Sequence, residues 1–170
     1  MKVIVMSGLP GSGKSTIAEG VAKALKIPVF SVDPIESAII KAGIEKSFET
    51  GLAAYVVAAT LAAEQLKLGS SVLIDAVNAQ EEGKNMWRDL AKAHNVQLIV
   101  LECSLADEDL HKNRLKSRVR NLHGFAEIGW DDVAARRKEY TAWKEPTLQL
   151  DASNSPQANI QRAIAHIQSK

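Results

Sequence analysis

Eight consecutive residues near the start of the chain, Gly8-Leu9-Pro10-Gly11-Ser12-Gly13-Lys14-Ser15, followed by Thr16, fit the pattern G-x-x-x-x-G-K-[ST] in full. Such a run serves to grip a polyphosphate. A triphosphate brings several negative charges close together. Glycines let the main chain bend around it with N–H groups turned inward and no Cβ in the way. The free N–H groups and positive end of the next helix add to the attraction. On this reading Gly8, Gly11, Ser12, Gly13, Lys14, Ser15 and Thr16 hold the nucleotide. Lys14 reaches the β and γ phosphates, and the Ser15 hydroxyl ligates Mg²⁺. The alternative is a glycine-rich turn without a ligand. The context argues against it, because the motif follows an apolar run and opens an amphipathic pattern, as phosphate binding requires.

Acids and arginines elsewhere complete a candidate phosphate-transfer set. Asp75 closes the apolar run Val72-Leu73-Ile74, the pattern in which a strand-end carboxylate supports Mg²⁺; the alternative is a turn or capping aspartate. Asp33 follows a second short strand and is a candidate general base for an acceptor hydroxyl, an effect worth roughly 10²–10⁴-fold. Asp33-Pro34-Ile35-Glu36 is equally a good helix start, with Asp33 as N-cap. Glu36 is a second candidate for contact with the acceptor, and Asn78 is either a positioning residue or a turn residue. Arg114 and Arg118, four apart, would share a helix face. Guanidinium groups there would neutralise the charge that phosphoryl transfer spreads over the equatorial oxygens. They would do so from a lid of about residues 119–130, with Arg120, His123 and Gly124 as further lid candidates. The alternative is a solvated basic helix face. His111 reads as a surface residue, Cys103 as an inert thiol after a buried strand, and Trp87, Trp130 and Trp143 as packing residues on helices.

The elements that must position these groups alternate between short apolar runs and helical patterns, the signature of a parallel sheet covered on both faces. Strands are expected at Val3–Met6, Val29–Val32, Val72–Ile74, Val96–Leu101 and, at an edge, Leu148–Leu150. The first helix opens near Lys14 with Ile17, Ala18, Val21, Ala22 and Leu25 on one face. Further helices are expected from Pro34, over Phe48–Leu68, Glu82–His94 and Ala106–Arg120, and from Trp130. Ser155-Pro156 starts a last one, with Ile160, Ala163, Ile164 and Ile167 facing the core. Residues 1–170 read as one domain.

Composition excludes several classes. The formal net charge is +1, so no global field draws the chain to nucleic acid or an anionic membrane. One cysteine excludes an internal disulfide framework and a thiolate zinc site, and suits a cytoplasmic location. The opening residues lack the length and cleavage pattern of a signal peptide. The apolar stretch Leu52–Leu68 is interrupted by Glu64, Gln65 and Lys67, so it reads as a buried helix and not a membrane span.

Taken together, Gly8–Thr16, Ser31-Val32-Asp33, Ile74-Asp75-Ala76-Val77-Asn78, Cys103, His111, Arg114, Arg118, Trp130 and Tyr140 resemble the small AAA-type P-loop kinase family, to which chloramphenicol phosphotransferase, zeta toxins and polynucleotide kinase belong. The resemblance implies a P-loop NTPase fold: an α/β protein with a five-stranded parallel sheet in order 2-3-1-4-5, flanked by helices, with an arginine-bearing lid. It implies ATP and Mg²⁺ as cofactors, Asp33 as base or acceptor ligand, and residues 151–154 near the adenine. Many relatives carry an arginine soon after the aspartate matching Asp33; Pro34-Ile35-Glu36-Ser37-Ala38 contains none, which disfavours an anionic acceptor. Three functions follow: a kinase for a hydroxyl of a small molecule, a 5′-end polynucleotide kinase, or a non-transferring ATP-binding module or ATPase.

Overall fold

The computed structural model describes residues 1–119 and 121–170; the lid candidate Arg120 lies outside the described residues. The described residues form five strands and seven helices: β1 (Lys2–Ser7), α1 (Lys14–Leu25), β2 (Val29–Ser31), α2 (Val32–Lys41), α3 (Phe48–Lys67), β3 (Val72–Asp75), α4 (Glu81–Ala93), β4 (Gln97–Ser104), α5 (Glu108–Ser117), α6 (Trp130–Glu139), β5 (Thr147–Asp151) and α7 (Pro156–Gln168). The sheet is parallel throughout, in the order β2-β3-β1-β4-β5.

The central strands are continuous apolar runs because helices bury both faces. Side chains alternate between two cores. Val3, Val5, Val72, Ile74 and Val100 pack against α3 and α4 with Trp87. Ile4, Met6, Leu73, Ile99 and Leu101 pack against α1 and α7 with Val21, Ala163 and Ile167. Register brings Met6 level with Asp75 and with Leu101. The ends of β1, β3 and β4 therefore form one rim, where the phosphate loop, Asp75 and the end of β4 meet.

Several boundaries differ from expectation. β2 stops at Ser31, which is the N-cap of α2, so Asp33 lies inside the first helical turn and is not the cap. Pro34 falls in that same turn, where its missing N–H costs no helix bond. A carboxylate at Asp33 also suits the positive helix end. β4 runs on to Ser104, pairing Cys103 with Leu150, so Cys103 sits within the strand and not after it. α5 ends at Ser117, and Arg118 is its C-cap with an extended backbone, ψ 129°. Trp143 lies beyond α6 in the segment leading to β5, not on a helix.

Candidate nucleotide and phosphate-transfer site

The phosphate loop leaves the sheet at Ser7, and two of its glycines are compelled by contact. Gly8 has φ 138°, and a Cβ there would lie 2.3 Å from the Cys103 carbonyl oxygen, which the sheet holds in place. Gly8 N–H donates to the Val77 carbonyl at 3.2 Å, tying the loop to the segment just beyond β3. Gly11 has φ 81°, and its Cβ would meet Leu115 at 2.8 Å and the His111 ring at 3.0 Å. Gly13 is the N-cap of α1 in the left-handed region.

Lys14 is buried and shares a cavity of about 200 Å³ with Gly11, Gly13, Ser15, Thr16, Arg114 and Arg118. The structure thus brings both arginines to the loop, although only Arg114 is within the helix proper. Arg114 donates from Nη2 to the Ala152 carbonyl at 2.8 Å, so its guanidinium also braces the turn after β5. A second cavity, of about 260 Å³, continues from Ser12, Gly13 and Thr16 past Arg114 to Ala152, Asn154, Pro156 and Asn159. A nucleoside joined to a triphosphate in the first cavity has room there. A third space, of about 360 Å³, lies behind the loop between Leu9, Ser104, Leu105, Arg137, Tyr140 and Gln149. It is roomier than the other two, but Lys14, Arg114 and Arg118 do not line it.

Asp75 is 5% exposed. Its Oδ2 accepts from the Ser31 hydroxyl at 3.4 Å, while Oδ1 has no hydrogen-bond partner among the described residues. An ionised oxygen buried without a partner is costly, and a cation would satisfy it. Among the described residues no group of three or more His, Cys, Asp and Glu could hold a metal alone. A metal here would need phosphate oxygens and water beside Asp75 and Ser15, as Mg²⁺ bound with a nucleotide does. The donor set fits that ion.

On the far side of the loop stand α2 and α3. Asp33 is half-buried and lies within electrostatic reach of Tyr55, whose hydroxyl pKa is pushed up to about 12 by burial first, with Asp33 and Asp75 adding to the shift. Glu36 Oε1 accepts from the Thr50 hydroxyl at 3.0 Å, which joins α2 to α3. Asn78 is buried in the left-handed region, φ 52°. It donates to the Met6 carbonyl at 2.9 Å and accepts from Trp87 Nε1 at 2.7 Å; its amide is engaged in framework bonds. The segment beyond α5 crosses to α2. The Ser37 hydroxyl donates to the His123 carbonyl at 3.0 Å, Lys46 Nζ stands 4.0 Å over the Phe125 ring, and a Cβ on Gly124 would lie 2.5 Å from Ile40.

Three groups make contacts that the sequence does not announce: His111 and Tyr140, which enter the family resemblance, and Lys84. His111 is not on the surface: it is 1% exposed and hydrogen-bonds through Nε2 to the Pro10 carbonyl at 2.7 Å. Its spacing from Arg114 and Leu115 was the available signal. Tyr140 donates to Glu102 Oε1 at 2.5 Å and accepts from the Ser7 hydroxyl at 2.6 Å, and Ser7 also accepts from Trp143 Nε1 at 2.9 Å. Burial, then the Glu102 bond, holds the Tyr140 phenol above its usual pKa. Lys84 is fully buried; its ammonium donates to the carbonyl and hydroxyl of Thr141, the latter at 2.7 Å, and lies under Trp143 at 5.3 Å. Desolvation lowers its pKa. Tyr140 and Trp143 tie the 140–143 segment to Ser7 at the root of the phosphate loop, and Lys84 ties it to α4.

Comparison with known proteins agrees with this fold. The family described as the AAA domain matches residues 3–142. A bifunctional polynucleotide phosphatase/kinase from Schizosaccharomyces pombe is 26% identical over 136 residues, which is 79% of this chain and 29% of the relative. The chain thus spans under a third of that protein's length. Among solved structures, a sugar kinase from Janibacter superposes with TM-score 0.71 at 22% identity, covering 98% of this chain and 94% of the other. The APS kinase of Mycobacterium tuberculosis, in complex with AMPPNP and APS, gives TM-score 0.74 at 20% identity, covering 98% and 97%. At these identities the structural likeness establishes the fold.

Proposed function

The chain belongs to the AAA domain family, and from that premise we propose that it is an ATP-dependent kinase that moves the γ-phosphate of ATP to a hydroxyl of a small molecule. The observation that carries this reading is the convergence of Lys14, Ser15, Arg114 and Arg118 on one cavity at the mouth of the loop. A cavity lined by loop amides, an ammonium and two guanidiniums is built for a polyanion whose charge redistributes during reaction. Names of the relatives support the class: sugar kinase, APS kinase and polynucleotide kinase all transfer phosphate to hydroxyls.

Loop amides and Lys14 hold the phosphates, and the turn at Ala152–Asn154 receives the nucleoside. The acceptor lies on the α2 side, bounded by Asp33, Tyr55 and the 123–125 segment. Its hydroxyl oxygen attacks the γ phosphorus, the bond to the β–γ bridging oxygen breaks, and ADP leaves. Asp33 takes the hydroxyl proton, and Arg114 and Arg118 neutralise the equatorial oxygens. Mg²⁺, when bound, would be held by Ser15 and Asp75 and would screen phosphate charge. The near-neutral net charge favours a small acceptor. The relative from Schizosaccharomyces pombe supports a second reading, transfer to a nucleic-acid 5′ end, for which binding should fall steeply with salt.

The test is transfer of labelled γ-phosphate to metabolite pools, with Lys14→Ala as blank. Asp33→Asn should keep Mg-ATP binding while losing at least a hundredfold in transfer. Full activity in that variant excludes Asp33 as base, and label transfer that persists in Lys14→Ala excludes the loop.

A further inference from the structure

A loop that turns its N–H groups toward an anion must turn carbonyls the other way, into the protein. A carbonyl buried there needs a donor. For Pro10 the donor is His111 Nε2, at 2.7 Å, from a residue 101 positions later. Because a carbonyl only accepts, this bond places a proton on Nε2. The His111 ring also forms the surface on which Gly11 rests, leaving no space for a Cβ, and it meets Trp130 edge-on with centroids 5.3 Å apart. Its Nδ1 has no hydrogen-bond partner among the described residues. The ring is therefore held by the loop, the Trp130 edge and packing.

The same face of α5 carries Arg114 and Leu115, three and four residues on, with Arg118 at the C-cap. Leu115 touches the back of Gly11, while Arg114 and Arg118 line the cavity in front of it. One helix thus grips the loop from behind with two side chains and faces its ligand with two others.

We propose that His111 is a positioning residue: its Nε2–H bond to Pro10 fixes the curvature of the phosphate loop and locks α5 to it, so that loop and arginines form one preorganised body before any nucleotide arrives. The inference rests on the reading of the loop as a triphosphate site. Preorganisation of this kind acts by removing the ordering cost from binding.

The experiment compares His111→Leu, which fills the space without a donor, with His111→Gln, whose amide N–H replaces Nε2–H. Three quantities are measured: ADP and ATP affinity by calorimetry, hydrogen exchange of residues 11–15 in the nucleotide-free protein, and thermal melting. The Leu variant should lose about tenfold in affinity for both nucleotides, the equivalent of about one hydrogen bond. It should also lose exchange protection of the free loop. The Gln variant should recover most of both. Wild-type affinity and protection in the Leu variant would overturn the proposal. So would equal losses in Leu and Gln variants, since packing alone would then explain them. If the wild-type protein binds no nucleotide, the assignment of the site fails. The contact itself is then judged by the free loop's exchange and by the nitrogen NMR shifts of His111, where an unprotonated Nε2 would refute it.

Discussion

Replacing Asp75 by Asn should push stability and metal-dependent activity in opposite directions. The carboxylate is 5% exposed, with one oxygen 3.4 Å from the Ser31 hydroxyl and the other without a partner among the described residues. Leaving a buried polar atom unsatisfied costs about 1–3 kcal/mol, and more when it is charged. Asparagine keeps the shape, retains an acceptor for Ser31, and exchanges an unpartnered charge for an unpartnered neutral amide. The nucleotide-free variant should therefore gain about 1 kcal/mol, which for a chain of this size is a rise of about 2–4 °C in Tm. With nucleotide the sign reverses. Unit charges at about 4 Å interact by about 4 kcal/mol at an effective dielectric of about 20. With bound water taking up about half of that, the loss is about 2 kcal/mol, roughly a thirtyfold increase in the Mg²⁺ concentration needed for half-maximal transfer. Scanning fluorimetry without nucleotide and a Mg²⁺ titration of γ-phosphate transfer check the two halves. A lower Tm together with an unchanged Mg²⁺ requirement would refute the reasoning and leave Asp75 as a turn residue.

Two further substitutions probe the loop and its arginines. Gly8→Ala should lose nucleotide binding and at least 3 kcal/mol of stability in urea unfolding, because its Cβ would sit 2.3 Å from a carbonyl that the β4–β5 pairing immobilises; a fully stable variant would mean that the loop departs from β1 along another path. Arg118→Ala should lower kcat by about 10²-fold or more while changing ATP affinity by less than about fivefold; the reverse pattern would make Arg118 a ground-state contact.

What the sequence alone determined was whatever is encoded by neighbours along the chain. The Gly8–Thr16 loop is contiguous, so its chemistry is legible without a fold. Strand and helix periods are equally local, and the short apolar runs at Val3–Met6 and Val72–Ile74 read as strands. Even element ends were exposed to misreading, since Ser31 and Asp33 are both good helix starters and only the packed chain decided that Ser31 caps α2. What tertiary structure decided was pairing at a distance. His111 meets Pro10 across 101 residues, Tyr140 meets Ser7 across 133, and Lys84 meets Thr141 across 57. Read alone, Lys84 belongs on a surface, and nothing local assigns His111 or Tyr140 to an interior. His111 and Lys84 are buried and Tyr140 is half-buried, because the folded chain gives a histidine, a phenol and an ammonium each a partner that makes leaving water tolerable.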